Sequence, residues 1–106
     1  MLNQLVIVGR LVEEPRLVNN VCYITVAVPR PFKNDEGIYE TDFVDCVLWS
    51  AIAENTKQYC HKGDIVGVKG RIQPRCTLDE EGNKHKITEL IAEKVTFLNS
   101  KNPEEN

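Results

Sequence analysis

The most regular feature of the chain is an alternation of apolar and polar positions, which predicts β-strands along most of its length. Residues 5–11 form a β-branched run that ends at the turn-prone segment 13–15. In residues 21–28 the bulkiest aliphatic side chains recur at every second position, so one face of this second strand is expected to be buried. Pro29 and Pro31 lack a backbone donor and are predicted to end it.

A third strand is predicted from about Thr41 to Trp49, and a single helix follows it. Ser50 is a suitable N-cap for this helix because its hydroxyl can accept a bond from a backbone N–H of the first turn. The side chains that fall on one helical face are Ile52, Ala53, Thr56, Tyr59 and Cys60.

Two more strands are predicted, at residues 65–72 and at about 86–98, with a loop at 79–83 between them. The glycines of the fourth strand suggest bending or a close backbone approach. Five strands with one helix between the third and fourth follow the plan of the OB-fold, although other small five-stranded barrels share parts of this pattern. The predicted fold class is all-β with one short helix, a five-stranded OB-fold Greek-key barrel over residues 1–98, and residues 99–106 form a short polar C-terminal tail.

Composition limits the classes of protein that the chain can be. Its 106 residues suit one domain with an ordinary core, since 42% of them are hydrophobic. No apolar run is long enough to span a membrane and the N-terminus lacks the basic start of a signal peptide, so a cytoplasmic location is expected. The four cysteines show no C-x-x-C spacing, and free, mostly buried thiols without a metal are expected at Cys22, Cys46, Cys60 and Cys76.

Nothing in the sequence supports catalysis or a cofactor. His61 and His85 are the only histidines, and neighbours such as Cys60 and His61 point about 100° apart on a helix, which does not suit a catalytic dyad. The phosphate-binding, hydrolase and metalloprotease motifs are missing from the sequence. We therefore predict a protein that is not an enzyme.

Charge is distributed unevenly along the chain. The formal net charge of −3 argues against a nucleic-acid ligand when taken alone. However, residues 35–45 hold five acidic side chains and no basic one, whereas residues 62–75 hold four basic side chains and one acidic. Arg30 and Lys33 lie just before the acidic segment. A basic patch can therefore form on a chain that is acidic in sum.

Three aromatic side chains are candidates for ligand binding. Phe32 lies in a polar segment stiffened by prolines, which is an unusual place for a core residue. Phe43 and Trp49 are six residues apart on the third strand and share its outer face, since the opposite face is uniformly apolar. Exposed rings beside lysine and arginine suit single-stranded nucleic acid, because bases stack on the rings while cations follow the phosphates. A core or a subunit interface is the alternative position for such rings.

The order and spacing of many short segments resemble the bacterial single-stranded-DNA-binding protein family over about residues 2–98. Residues 14–17 (E-P-R-L), for instance, are similar to the D-P-E-L of that family. The full set of matching segments is 2–11, 14–17, 24–28, 30–32, 42–43, 47–49, 53–55, 62–63, 66–68, 70–72, Arg75 and 88–89.

This resemblance implies sequence-independent binding and protection of single-stranded DNA in replication, recombination or repair, by a nucleoid-associated homotetramer (or dimer) that pairs through the strand from Asn3 to Arg10. It places base-stacking aromatics at Phe32, Phe43 and Trp49, and it implies phosphate contacts for which the candidates are Arg10, Arg30, Lys33, Lys69, Arg71 and Arg75. The alternative function is an accessory interaction subunit of a primosome or recombination complex, built on the same fold.

The sequence departs from the family pattern at three places. Thr77 stands where the family usually has another aromatic, which implies one stacking platform fewer. The first hairpin is shortened at residues 18–20. Residues 99–106 do not make the family's acidic tip, so recruitment of repair or replication enzymes through such a tip is not expected.

Overall fold

Five long strands, one very short strand and one helix make up the described part of the chain. The computed structural model describes residues 1–98, so the predicted tail 99–106, with the expectation about its tip, lies outside the described residues. The elements in chain order are β1 (Leu5–Leu11), β2 (Arg16–Val18), β3 (Val21–Lys33), β4 (Tyr39–Trp49), α1 (Ser50–Tyr59), β5 (Ile65–Leu78) and β6 (Lys84–Phe97).

The strands form one sheet in the order β1-β5-β6-β4-β3-β2, and this sheet closes because β1 also pairs with β3. Strands β4 and β6 run parallel, and the other pairs are antiparallel. The five long strands, with the helix after the third of them, confirm the predicted OB-fold. Strand β2 was not predicted; its three residues pair with β3 across the turn at residues 19–20, where Asn19 has a φ of 56°.

The interior of the barrel is filled from alternate strand positions. Ile24 and Val26 of β3 are buried, which confirms the predicted inner face of that strand. Cys46 and Leu48 are likewise buried on β4, and Val44 packs against the same core. Because side chains alternate along a strand, the positions between these residues point to the outer face of the sheet.

Two glycines allow the strands to approach closely enough to close the barrel. A Cβ atom at Gly9 would lie 2.2 Å from the backbone oxygen of Ala27, where β1 meets β3. A Cβ atom at Gly70 would lie 2.1 Å from the backbone oxygen of Ile91, beside the register shift between β5 and β6. The close approach predicted for the fourth strand is therefore present at Gly70.

The predicted end of the second strand at the prolines is wrong. β3 continues to Lys33, because Pro29 still pairs with Thr41 and the ladder is irregular only between Pro29 and Lys33. A proline is compatible with such an irregularity, where no ladder bond is needed from its nitrogen. The continued strand forms an arm with β4, and we call residues 29–42 the β3–β4 arm.

The helix begins differently from the prediction. Ser50 is not the N-cap: it is the first helical residue with a φ of 52°, and Trp49 occupies the cap position without a side-chain bond. Strand β4 runs directly into α1, and the Ser50 N–H donates to the Asn20 oxygen at 3.2 Å. Of the predicted helical face, Ala53, Thr56 and Cys60 are buried, Ile52 is partly buried and Tyr59 is exposed. No helix in this part of the chain is long and apolar enough to cross a membrane.

The cysteines are free thiols and mostly buried, as predicted. Cys22, Cys46 and Cys60 are buried, whereas Cys76 is exposed on β5. Burial raises the pKa of Cys46 and that of Cys60 to about 12, so both thiols stay protonated at neutral pH. A protonated, buried thiol is a poor nucleophile, and these residues act as small core hydrophobes.

Candidate nucleic-acid interface

The three predicted rings are all exposed on the single chain. Phe32, Phe43 and Trp49 are 63%, 66% and 54% accessible to solvent. Phe43 and Trp49 lie on the same outer face of β4, separated by about 20 Å along an extended strand. Because the interior is filled by other side chains, these rings do not serve the core of the barrel.

Trp49 borders a groove of about 390 Å³ on the outside of the sheet, which we call the Trp49 groove. Arg71 and Arg75 of β5 line the same space, so a large ring and two guanidinium groups face one cavity. Val47 and Ile91 are register partners and give the groove an apolar floor. Its complete lining is Tyr23, Val47, Trp49, Arg71, Gln73, Arg75, Glu89 and Ile91.

Phe43 lies in a row of side chains that crosses three strands. Ala27 of β3 is its register partner, and Arg10 of β1 is the partner of Ala27 on the other side. Register partners point to the same face, so both side chains project from the outer face at backbone positions two strand spacings, or about 10 Å, apart. The Nη1 atom of Arg10 donates to the Gly63 oxygen at 2.9 Å, which uses one of its five donors.

Phe32 and Lys33 lie on the β3–β4 arm. The Nζ atom of Lys33 is 5.6 Å from the ring centroid of Tyr39, its register partner on β4. Tyr39 is 57% exposed, so it adds another ring near the end of the arm. The arm therefore presents rings and a cation together, beyond the closed part of the barrel.

Among the residues predicted to contact phosphates, Arg30 makes the most hydrogen bonds to other side chains. Its guanidinium group donates to Asp42 at 2.8 Å and 3.0 Å and to Glu40 at 2.8 Å. The hydrogen bond from Arg30 holds the pKa of the Asp42 carboxyl below its ordinary value. These bonds link the two strands of the arm, and the two carboxylates offset the positive charge of the arginine.

The remaining candidate cations lie along one strand. Lys69, Arg71 and Arg75 occupy outward positions of β5, spaced by even numbers of residues. Lys69 is exposed, Arg71 donates to the side chain of Gln73, and Arg75 donates to Glu89 at 3.1 Å. We call this run of cations the β5 cation line.

Two carboxylates lie between the β5 cation line and β3. Asp45 accepts a hydrogen bond from the Thr25 hydroxyl at 2.8 Å, and Glu89 accepts the bond from Arg75. Both side chains sit on the outer face near the middle of the sheet. Because like charges repel, phosphates are expected to avoid this strip while bases, which carry no charge, can cross it.

Tyr23 is a further candidate ring, which the sequence pattern did not single out. It is the register partner of Val47 and lines the Trp49 groove. Its place on the strand face opposite the buried aliphatic side chains was the one feature of the sequence that could have identified it as an outward-facing ring. Thr77, where the resemblance implies an aromatic, lies on β5 and pairs with His85 of β6.

The fold and this face together define a class: a small OB-type barrel with exposed rings and cations along one side, suited to single-stranded nucleic acid. Residues 2–98 match the model of the Single-strand binding protein family. The chain therefore belongs to this family, whose members bind DNA and are not enzymes.

Several relatives are similar over most of this chain. Single-stranded DNA-binding protein B of Bacillus subtilis is 46% identical, over 95% of this chain and 94% of that protein. Single-stranded DNA-binding protein 1 of Clostridium acetobutylicum is 39% identical, over 94% of this chain and 96% of that protein. The single-stranded DNA-binding protein of Halalkalibacterium halodurans is 46% identical over 92% of this chain but only 61% of its own length. The predicted family is confirmed.

Proposed function

We propose that this protein coats and protects single-stranded DNA without strong sequence preference, in replication, recombination or repair. The observation that carries the proposal is the exposure of Phe32, Phe43 and Trp49, together with the two arginines that line the groove beside Trp49. Every base has a π face, so stacking accepts any sequence and contributes roughly 1–3 kcal/mol per base. Membership of the family and the names of the relatives support the same ligand. Such a ligand implies a cytoplasmic site of action at the nucleoid.

Phosphates follow the cations in this proposal. The β5 cation line supplies three contacts, because Lys69, Arg71 and Arg75 share one outward face. Arg10 and Lys33 extend the contacts to β1 and to the β3–β4 arm. Arg30, which already binds two carboxylates, is expected to contribute least.

Titration with poly-dT tests this proposal directly. Trp49 is the single tryptophan, so its fluorescence should fall as bases stack on it. Five phosphate contacts per chain would give a slope of about −3.5 in a plot of log affinity against log salt concentration. Duplex DNA of the same length is the control and should quench little, because its bases are already stacked on one another. Unchanged emission together with the absence of a gel shift would contradict the proposal.

The proposed assembly is a homotetramer that pairs through β1. Within residues 1–98, the segment 5–8 of β1 pairs with β5 on one side only, and Val6 and Val8 are 67% and 51% exposed. An open strand edge beside apolar side chains is a template for pairing with another chain. Light scattering should give about four times the chain mass of 12.1 kDa. A mass of two chains would exclude the tetramer and leave a dimer, and a mass of one chain would contradict both the tetramer and any pairing through β1.

A further inference from the structure

A second row of side chains crosses the outer face of the sheet from β2 to β5. Register pairs join Arg16 to Tyr23, Tyr23 to Val47, Val47 to Ile91 and Ile91 to Arg71. Four strand spacings of about 4.8 Å give this row a span of about 19 Å. It has an aromatic and apolar centre and a guanidinium group at each end. The Trp49 groove covers only the part of the row from Tyr23 to Arg71.

The ring of Tyr23 continues the Trp49 groove into a neighbouring hollow of about 300 Å³. Arg16 and Thr25 line this second hollow, and Arg75 and Glu89 are shared with the groove. Tyr23 is half-buried, and within residues 1–98 its hydroxyl has no hydrogen-bond partner. The ring therefore borders both concave surfaces.

Arg16 differs from the other arginines of the chain. The guanidinium groups of Arg10, Arg30, Arg71 and Arg75 all donate to protein oxygens. Among the described residues, that of Arg16 has no such oxygen partner; it lies over one face of the Tyr23 ring, with its central carbon 5.3 Å from the ring centroid, which leaves the opposite face of the ring for a base. Its five donors are available to a ligand, and a phosphate is the ligand that a guanidinium fork fits best.

We propose that Tyr23 and Arg16 form a further DNA-binding site, in which a base stacks on Tyr23 and the adjoining phosphate binds Arg16. The inference rests on the proposed function and extends the path of the DNA across β3 to β2. Asp45 and Glu89 disfavour a phosphate on the middle strands, so a strand that leaves the Trp49 groove meets its next cation at Arg16. Tyr23 thus supplies a ring on the sheet itself, while Thr77 leaves none at its own position on β5.

Replacement of Tyr23 tests the stacking part. Tyr23→Leu keeps an apolar side chain against Val47 but removes the ring, and the affinity for dT oligonucleotides should fall about 5- to 150-fold. Tyr23→Phe keeps the ring and should bind as the unaltered protein does. Equal affinity of the leucine variant, or an equal loss in both variants, would overturn the stacking role.

A tryptophan reporter decides the same point without relying on an affinity change. In a Trp49→Phe background, Tyr23→Trp places the single tryptophan of the chain at position 23. Saturation with poly-dT, verified by gel shift, should quench its emission. Unchanged emission at saturation would overturn the proposal even if the leucine variant failed to fold.

Replacement of Arg16 tests the phosphate part. Arg16→Gln should weaken binding and reduce the steepness of the salt dependence by about 0.7, the contribution of one phosphate on a single strand. Arg16→Lys is the matched control, since it keeps the charge and should keep the slope. A slope that is unchanged in the glutamine variant would overturn this role. The proposed function itself fails only if the unaltered protein does not bind poly-dT, so the two failures are distinguishable.

Discussion

Replacement of Trp49 by alanine should lower the affinity for single-stranded DNA by about 5- to 150-fold, which corresponds to a loss of about 1–3 kcal/mol of base stacking. The ring is 54% exposed at the end of β4 and borders the groove that Arg71 and Arg75 also line. Its removal takes away the aromatic wall of that groove while the cations remain. The variant has no tryptophan, so binding is measured by the anisotropy of a labelled dT oligonucleotide.

Tyr59 offers a matched control for this experiment. Its side chain is 53% exposed, nearly the same as that of Trp49, but it lies on α1 and packs at 6.3 Å from the ring of Phe97. Neither ring of this pair lines the Trp49 groove. Tyr59→Ala should therefore leave the affinity for DNA unchanged. If it lowered the affinity as much as Trp49→Ala, loss of a general aromatic contact or of folding would explain both results, and the specific role of Trp49 would be lost.

The positions of the rings on β4 were predictable because side-chain alternation is a local property. Phe43 and Trp49 are six residues apart, and only the backbone geometry of one strand is needed to place them on one face. The buried face of β3 followed from the same period. The distinction between a binding protein and an enzyme rested instead on missing sequence motifs, which are also a local property of the chain. These inferences did not require the arrangement of one strand against another.

The transverse rows were not predictable from sequence. Arg16, Tyr23 and Arg71 come together through pairings between strands that are up to 55 residues apart in the chain, and no local pattern sets that register. The same reason explains Arg30, which was predicted as a phosphate contact although Asp42 and Glu40 bind it across the arm. Side-chain charge can be read from the sequence, but the partner of a charge cannot.

The local rules that failed are those that tertiary pairing overrides. Ser50 has the chemistry of an N-cap, yet β4 enters α1 without a loop and leaves Ser50 with a positive φ. Pro29 lacks a donor, yet it stays in the ladder opposite Thr41 because the irregular stretch begins after it. At both places the surrounding sheet fixes the backbone, so the preference of a single residue has little influence.

Substitution of Gly9 by alanine should destabilise the fold by about 3 kcal/mol, because the new methyl group would overlap the backbone of β3. Its Cβ would lie 2.2 Å from the Ala27 oxygen, an atom that cannot move without moving the strand. β1 and β3 are joined by the register pairs of Arg10 and Leu11 alone, so even a small separation opens the barrel. Thermal unfolding followed by circular dichroism should show a melting temperature lower by about 10–20 °C.

Two further substitutions, Gly70→Ala and Gly67→Ala, distinguish the effect of steric crowding from the general effect of replacing a glycine. A Cβ at Gly70 would lie 2.1 Å from the Ile91 oxygen, so this position should be as sensitive as Gly9, whereas a Cβ at Gly67 would meet nothing closer than the Leu98 Cδ1 atom at 3.6 Å. Gly67→Ala should therefore leave the melting temperature nearly unchanged or raise it slightly, because alanine restricts the unfolded chain more than glycine does. Equal losses at all three positions would show that strand flexibility, and not close backbone approach, requires these glycines. A loss at Gly9 and Gly70 alone would show that stability depends on the two places where a Cβ would overlap the backbone of the neighbouring strand, β3 in one case and β6 in the other.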